Sequence, residues 1–252
     1  MIIKKFQYYN TGYWFLLFIG LAAAGFYTTY FTRILEPMPL VIHFHFVLMV
    51  LWIGMLIAQP FFIKYKKLSW HRLLGKVSYV VVPLLLITAF ILTRNEYYRN
   101  VSRLEEAVRN GSQVYTQQEI LHRAAASPIA LVYFTWFLVF YVLAIRNRRN
   151  FNQHARYMVA TALTLTGPTV DRIIAIHLGL ETIGGVSSYF ISFLLIDCIL
   201  GWLLYLDIKK KRDPRALQVC LLVYITGQLF YFLCPLFDWW PVVMKVLMLP
   251  RP

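Results

Sequence analysis

The sequence predicts an all-α membrane protein, a polytopic bundle of seven transmembrane helices that forms a single domain over residues 1–252. Composition is the first reason: 60% of the 252 residues are hydrophobic and 14% are charged. Soluble domains average roughly 45–50% apolar and about 25% charged residues. Apolar runs long enough to cross about 30 Å of hydrocarbon also recur along the whole chain. The third reason is that the connections between these runs alternate in charge.

Seven apolar runs follow one another with mostly short connections, and each is long enough to cross a bilayer as a helix. They fall at about 12–32, 39–63, 71–93, 118–146, 155–178, 184–206 and 215–236. The first run resembles a secretory signal, but it continues past Thr28 without a small-residue cleavage site. We therefore expect it to be kept as the first helix.

The charges predict the orientation. The side that includes Lys4, Lys5 and residues 146–149 carries 16 Lys or Arg and 2 acids, against 8 and 7 on the other side. By the positive-inside rule, the amino terminus is cytoplasmic and the carboxyl terminus lies outside. The net charge of +14 then reflects topology and a lipid bilayer partner, with no nucleic acid. Scattered cysteines without a disulfide pattern fit a bacterial cytoplasmic (inner) membrane.

The longest connection and the tail are expected at the outer interface. Residues 94–117 have the spacing of a helix that lies along the membrane surface, ended by Asn110–Gly111. Thr116 followed three residues later by Glu119 predicts a capping box that starts the fourth helix. The tail from Phe237 onward is aromatic and proline-rich, which indicates an interfacial anchor and not an eighth span.

Ionisable side chains inside spans are costly and are therefore functional candidates. Helical rise sorts the histidines by depth into an outer set and an inner pair. The outer set is His43, His45, His122 and His177, and the inner pair is His71 and His154. Two histidines that face each other across a bundle can ligate a b-type haem. His43 and His45 point about 200° apart on a helix, and we favour His45 as the one that faces a site.

Two segments carry a family resemblance. His45–Trp52 and the run Ser-Trp-His-Arg-Leu-Leu-Gly over 69–75 resemble the cytochrome b-561 family. That resemblance implies a transmembrane oxidoreductase with two b-type haems and one histidine on each of four successive helices. The ligands it implies are His45, His71, His122 and His154. It also implies electron exchange with a quinone or a small redox donor.

A second likeness covers more of the chain. The same stretch, together with Gln59–Pro60 and residues 154–158, is similar to a group of bacterial multi-helix membrane proteins classed only as a domain of unknown function. It implies no activity.

A metal-dependent hydrolase is the first alternative. His43, His45, His122 and His177 all belong to the outer leaflet, with Asp171 near them in depth. Three protein ligands and a water molecule make a catalytic zinc site. Zinc or another transition metal could therefore occupy this set. The second alternative is a non-enzymatic membrane accessory protein, in which the polar residues only support packing.

Asp171 and Arg172 directly follow Gly167–Pro168 inside the fifth span. Proline removes a backbone donor, so a kink is expected there. A broken helix beside two charges indicates a catalytic, substrate or proton site. The other interpretation of this pair is a hydrogen-bonded knot between helices.

Overall fold

The computed structural model describes residues 10–249, and it confirms the all-α class. Six of its helical segments are long and apolar enough to cross a membrane. Strand is limited, in this described part, to a hairpin in which Thr182–Ile183 (β1) pairs with Val186–Ser187 (β2). Lys4 and Lys5, used above for the orientation, lie outside the described residues.

Eleven α-helices occur within residues 10–249. They are α1 Thr11–Phe15, α2 Leu17–Gly25, α3 Leu40–Lys64, α4 Leu68–Arg109, α5 Gln117–Ala124, α6 Ile129–Arg146, α7 Phe151–Leu163, α8 Thr166–Arg172, α9 Tyr189–Lys209, α10 Arg215–Leu233 and α11 Trp239–Leu247. Short 3-10 turns cover Phe31–Arg33 and Cys234–Leu236, and a π-helix covers Ile173–His177. The six long spans are α3, α4, α6, α7 with α8 and the π-helix, α9, and α10 with its 3-10 turn.

The first apolar segment differs from the single helix expected over 12–32. It forms two short helices, α1 and α2, which are separated at Leu16 and followed by turns. Thr11–Gly25 is shorter than the six long spans. At the end of α2, Gly25 packs against α8. A Cβ added to Gly25 would lie 2.7 Å from the Thr169 carbonyl oxygen. The absence of a side chain at Gly25 allows the two helices to approach this closely.

The interfacial helix predicted as a separate element over 94–117 is wrong. α4 continues without a break for 42 residues from Leu68 to Arg109, a length of roughly 60 Å. The predicted end is confirmed, because the helix stops at Asn110 and Gly111 takes a positive φ of 69°. The extension packs with α5 and α11 around Tyr97 and Trp240, so it is held by tertiary contacts that its own sequence does not reveal.

The span expected at 118–146 is divided into α5 and α6. The break falls at residues 125–128, because Pro128 has no backbone N–H to donate. The predicted capping box is confirmed: the Glu119 N–H donates to Thr116 Oγ1 at 3.3 Å, and the Thr116 N–H donates to Glu119 Oε2 at 2.7 Å. Hydrogen bonds from Thr116 hold the pKa of the Glu119 carboxyl below its usual value.

The expected kink near Gly167–Pro168 is confirmed. α7 ends at Leu163, α8 begins at Thr166, and the segment then loosens into the π-helix. The same long segment is the most deeply buried of the six spans. α7 packs against α6, and both contact α10. The centre of the bundle is therefore built from these helices, with Phe140, Ala144 and Ala160 fully buried.

Candidate cofactor-binding site

The two inner histidines line one cavity. His71 lies in the first turn of α4 and His154 in the first turn of α7, and the cavity between them has a volume of about 540 Å³. Its walls come from α1, α3, α4, α6 and α7. Ligand pockets in proteins typically measure 300–1,000 Å³. The cavity is therefore large enough for a cofactor.

Short turns bring the two histidines to the same end of the bundle. Lys66 takes a positive φ of 58° in the turn between α3 and α4. Asn150 caps α7 by accepting a hydrogen bond from the Gln153 N–H at 3.3 Å. Each histidine follows its turn by only a few residues, so each side chain lies beside the end of the preceding helix.

His154 has a fixed tautomer. Its Nδ1 lies 2.8 Å from the Ala144 carbonyl oxygen. A carbonyl can only accept, so Nδ1 carries the proton and Nε2 keeps a lone pair. Metal-ligating histidines usually donate their second ring N–H to a carbonyl or carboxylate in this way. Ala144 thus holds His154 in a state suited to ligation.

His71 is held by a different contact. Gln59 donates through Nε2 to the His71 backbone carbonyl at 3.2 Å. The His71 Nδ1 and the Gln59 Oε1 are both buried and have no hydrogen-bond partner among residues 10–249. Buried polar atoms without partners are uncommon, which sets this region apart from ordinary core packing.

The cavity is amphipathic. Its walls include apolar side chains such as Phe15, Met55 and Met158, together with three cations near the start of α4 and just after the end of α6. These cations are Arg72, Lys76 and Arg148. Among the described residues that line the cavity, none is acidic. The site therefore suits a largely apolar molecule that carries acid groups at one end.

The outer histidines are distributed differently. The His45 Nδ1 lies 2.8 Å from Thr88 Oγ1. The Thr88 hydroxyl can donate to the carbonyl of Leu84 or Leu85, each at 3.0 Å. We infer that His45 donates to Thr88 through Nδ1 and keeps a lone pair on Nε2. His43 instead contacts the Tyr30 hydroxyl at 3.0 Å.

His122 and His177 lie apart from that pair in the fold. His122 lines a groove between α5 and α11, together with Asp238 and Lys245. His177 is exposed at the end of the π-helix. Across residues 10–249, no three His, Cys, Asp or Glu side chains are grouped so that they could hold a metal ion. The outer histidines are therefore not assembled into the predicted zinc site.

Asp171 sits in a buried hydrogen-bonded cluster. It accepts hydrogen bonds from the Tyr133 hydroxyl and from the Ser192 hydroxyl. A Cβ at Gly167 would overlap the Tyr133 ring, so glycine lets the tyrosine reach the carboxylate. Arg172 donates to the Pro168 carbonyl at 2.8 Å and its guanidinium lies 4.4 Å from the centre of the Phe26 ring. These contacts join α6, α8 and α9 to the residue that follows α2, as expected of a hydrogen-bonded packing cluster between helices.

Several of these residues were missed by the sequence analysis. Gln59 was noted only as part of a resemblance, and Tyr133 and Ser192 look like ordinary span residues. Arg156 was counted as a cytoplasmic charge, yet it is buried and lies 2.6 Å from Asp207. Its one sequence signal is its position two residues after His154, on a different face of the same helix.

Compared with protein-family models, with curated proteins and with solved structures, the chain matches none of them.

Proposed function

We propose that the protein binds one haem b in the inner cavity, where His71 and His154 would hold its iron, and that it transfers electrons within a membrane. One observation carries this proposal: the two histidines come from different spans and line the same cavity. Haem with two imidazole ligands supplies one-electron chemistry. The protein would hold the ring, orient its ligands and exclude water.

The contacts of the ligands support the proposal. His154 keeps a free Nε2 because its Nδ1 donates to Ala144. The Gln59 bond to the His71 backbone ties α3 to the first turn of α4, which limits the movement of that ligand. Hydrogen bonds made to the metal ligands by surrounding groups orient those ligands and adjust the properties of a bound metal.

The cations that line the cavity also support haem b as the ligand. Haem b carries two propionate groups on one edge, and the rest of the ring is apolar. Arg72, Lys76 and Arg148 line this largely apolar cavity near the start of α4 and just after the end of α6. Charge-assisted hydrogen bonds between such cations and carboxylates are stronger than neutral ones. These cations would therefore pair with the propionates of a bound haem.

The proposal involves one haem and not the two implied by the resemblance. His45 contacts Thr88, whereas His122 lines a groove whose other residues belong to α5, α11 and Asp238. His45 is not among the residues that line that groove. A quinone or a small redox donor remains the expected electron partner, and the cavity's position within the spans favours one that dissolves in lipid.

We also infer that seven segments cross the membrane, with the amino terminus cytoplasmic and the carboxyl terminus outside, in a bacterial inner membrane. Lys64, at the end of α3, donates to Asn10 Oδ1 at 3.4 Å. Tyr30 contacts His43 near the opposite end of α3. The 21 residues between the two α3 positions rise about 30 Å, which matches the hydrocarbon thickness. Residues 10–30 therefore run the full depth of α3.

The direct test is the visible spectrum of the purified protein and its single variants. We expect a Soret band, with sharp α and β bands on reduction, that is lost in His71→Ala and in His154→Ala. His45→Ala and His122→Ala are the matched controls and should keep the full spectrum. A colourless wild-type protein purified from haem-supplied cells, or loss of the bands in the outer variants only, would contradict the proposal.

A further inference from the structure

A second polar site lies between α9 and α10, away from the cavity. Gln228 donates through Nε2 to both oxygens of Asp197, at 3.0 and 3.1 Å. Asp197 is eight residues from the start of α9 at Tyr189, which places it about 12 Å along the helix. That depth is inside the hydrocarbon layer, where a carboxyl group is costly and normally faces the protein interior.

Asp197 does not face the protein interior fully. It is only half-buried, and its neighbours Leu194 and Leu195 are 51% and 41% exposed. Cys198 is exposed as well. The pair thus lies at a surface that would otherwise be covered by lipid tails, which cannot form hydrogen bonds.

The pair has hydrogen-bonding capacity left over. The Gln228 side chain uses its amide nitrogen for Asp197, while its Oε1 accepts no hydrogen bond within residues 10–249. A neutral Asp197 carboxyl has one O–H to donate. With Asp197 protonated, the same two side chains therefore offer a free donor and a free acceptor.

The surface beside the pair is open to close approach. Gly201 lies one helical turn from Asp197 and so shares its face of α9. A Cβ placed on Gly201 would meet nothing within 4 Å. Small residues at such positions let two transmembrane helices pack backbone to backbone.

We propose that a second copy of this chain packs against the face formed by Asp197, Gly201 and Gln228, around a two-fold axis. In such an arrangement each Asp197 carboxyl donates to Gln228 Oε1 of the other copy. A two-fold interface requires a self-complementary patch, and a patch with one spare donor and one spare acceptor meets that requirement. This inference is independent of the proposed haem.

The test measures association in lipid vesicles by energy transfer between two labelled populations of the full chain. We expect a dimer whose association constant falls about tenfold or more in Asp197→Leu, because two hydrogen bonds are lost. Gly201→Leu should weaken it similarly by blocking the approach. Asp197→Asn keeps a donor and an acceptor and should stay within about threefold of wild type.

Thr226→Val is the matched control, because Thr226 is an exposed polar residue of α10 that bonds only its own helix, at the Leu222 carbonyl. It should dimerise like wild type. Thermal unfolding checks that every variant is folded. A bis-maleimide should also join the copies through Cys198, and Cys198→Ser should remove that product. Monomers in wild type, a dimer unaffected by both leucine variants, or a dimer not joined through Cys198 would each overturn the proposal.

Discussion

Arg156, near the start of α7, and Asp207, near the end of α9, form a buried ion pair. Their side chains are 2% and 0% exposed, and Arg156 Nη2 lies 2.6 Å from Asp207 Oδ2. Removing one partner of such a pair leaves an uncompensated buried charge. The pair joins α7 to α9, and it therefore supports the position of the helix that carries His154.

We expect Asp207→Ala to lower the free energy of unfolding by about 3–5 kcal/mol. Replacing both partners, with Arg156→Met and Asp207→Leu, should recover most of that loss, because no buried charge then remains. Equilibrium unfolding in mixed detergent micelles measures both. Arg215→Ala is the control: its contact with Asp213 is exposed, and it should change the free energy by less than about 1 kcal/mol. Equal losses in the single and double variants would contradict this account.

At this scale the sequence indicated the depth of each candidate residue but not its contacts. His71 and His154 were paired from depth alone, and the structure places both on one cavity. Rise per residue fixes depth, and that is why this prediction was possible. The tautomer of His154 depends on the Ala144 carbonyl, ten residues earlier on another helix. No periodicity in the sequence contains that information.

At the scale of elements, α5 depends on the capping box at its start. The folded state holds the pKa of Glu119 below its usual value. A lowered carboxyl pKa means that the capping contribution is fully present above the unfolded pKa, and is lost as the pH falls through the folded one. The start of α5 should therefore loosen only when the pH falls below the usual range of a glutamate carboxyl.

Hydrogen exchange measures this effect at the Ile120 amide, which donates to the Thr116 carbonyl in the first turn. We expect its protection to fall as the pH drops below the usual range of a glutamate. Glu119→Gln still accepts from the Thr116 N–H but does not titrate, so its protection should not vary with pH. Protection that falls equally in the variant would exclude the carboxylate as the cause.

Helix ends were predictable where one residue dictates them, and not where packing does. Asn110–Gly111 ends α4, and Thr116 with Glu119 starts α5, as the sequence indicated. Pro128 directly precedes the first residue of α6, at a break that the single span expected over 118–146 did not include. The continuation of α4 past residue 93 follows from its contacts with α5 and α11. Such contacts join segments far apart in sequence.

At the scale of the whole molecule, the membrane topology is the open prediction. In a background with its cysteines replaced, a cysteine at the exposed Arg149 should react with a membrane-impermeant maleimide only from the cytoplasmic side. One at the exposed Ser112 should react only from outside. Asn10→Cys decides between six and seven spans. Residue 10 lies beside Lys64 at the end of α3, and if the first segment crosses the membrane, a cysteine there should react only from the cytoplasmic side. Labelling of Asn10→Cys from outside would contradict the seven-span topology.

The central claim of this account is a single haem between His71 and His154. The measurement that tests it most directly is the ratio of haem to protein in the purified wild type, with haem determined by pyridine haemochrome and protein by amino-acid analysis. The account predicts one haem b per chain. A ratio of two would instead indicate a second haem, held by His45 and His122. A ratio near zero in protein from haem-replete cells would contradict the claim.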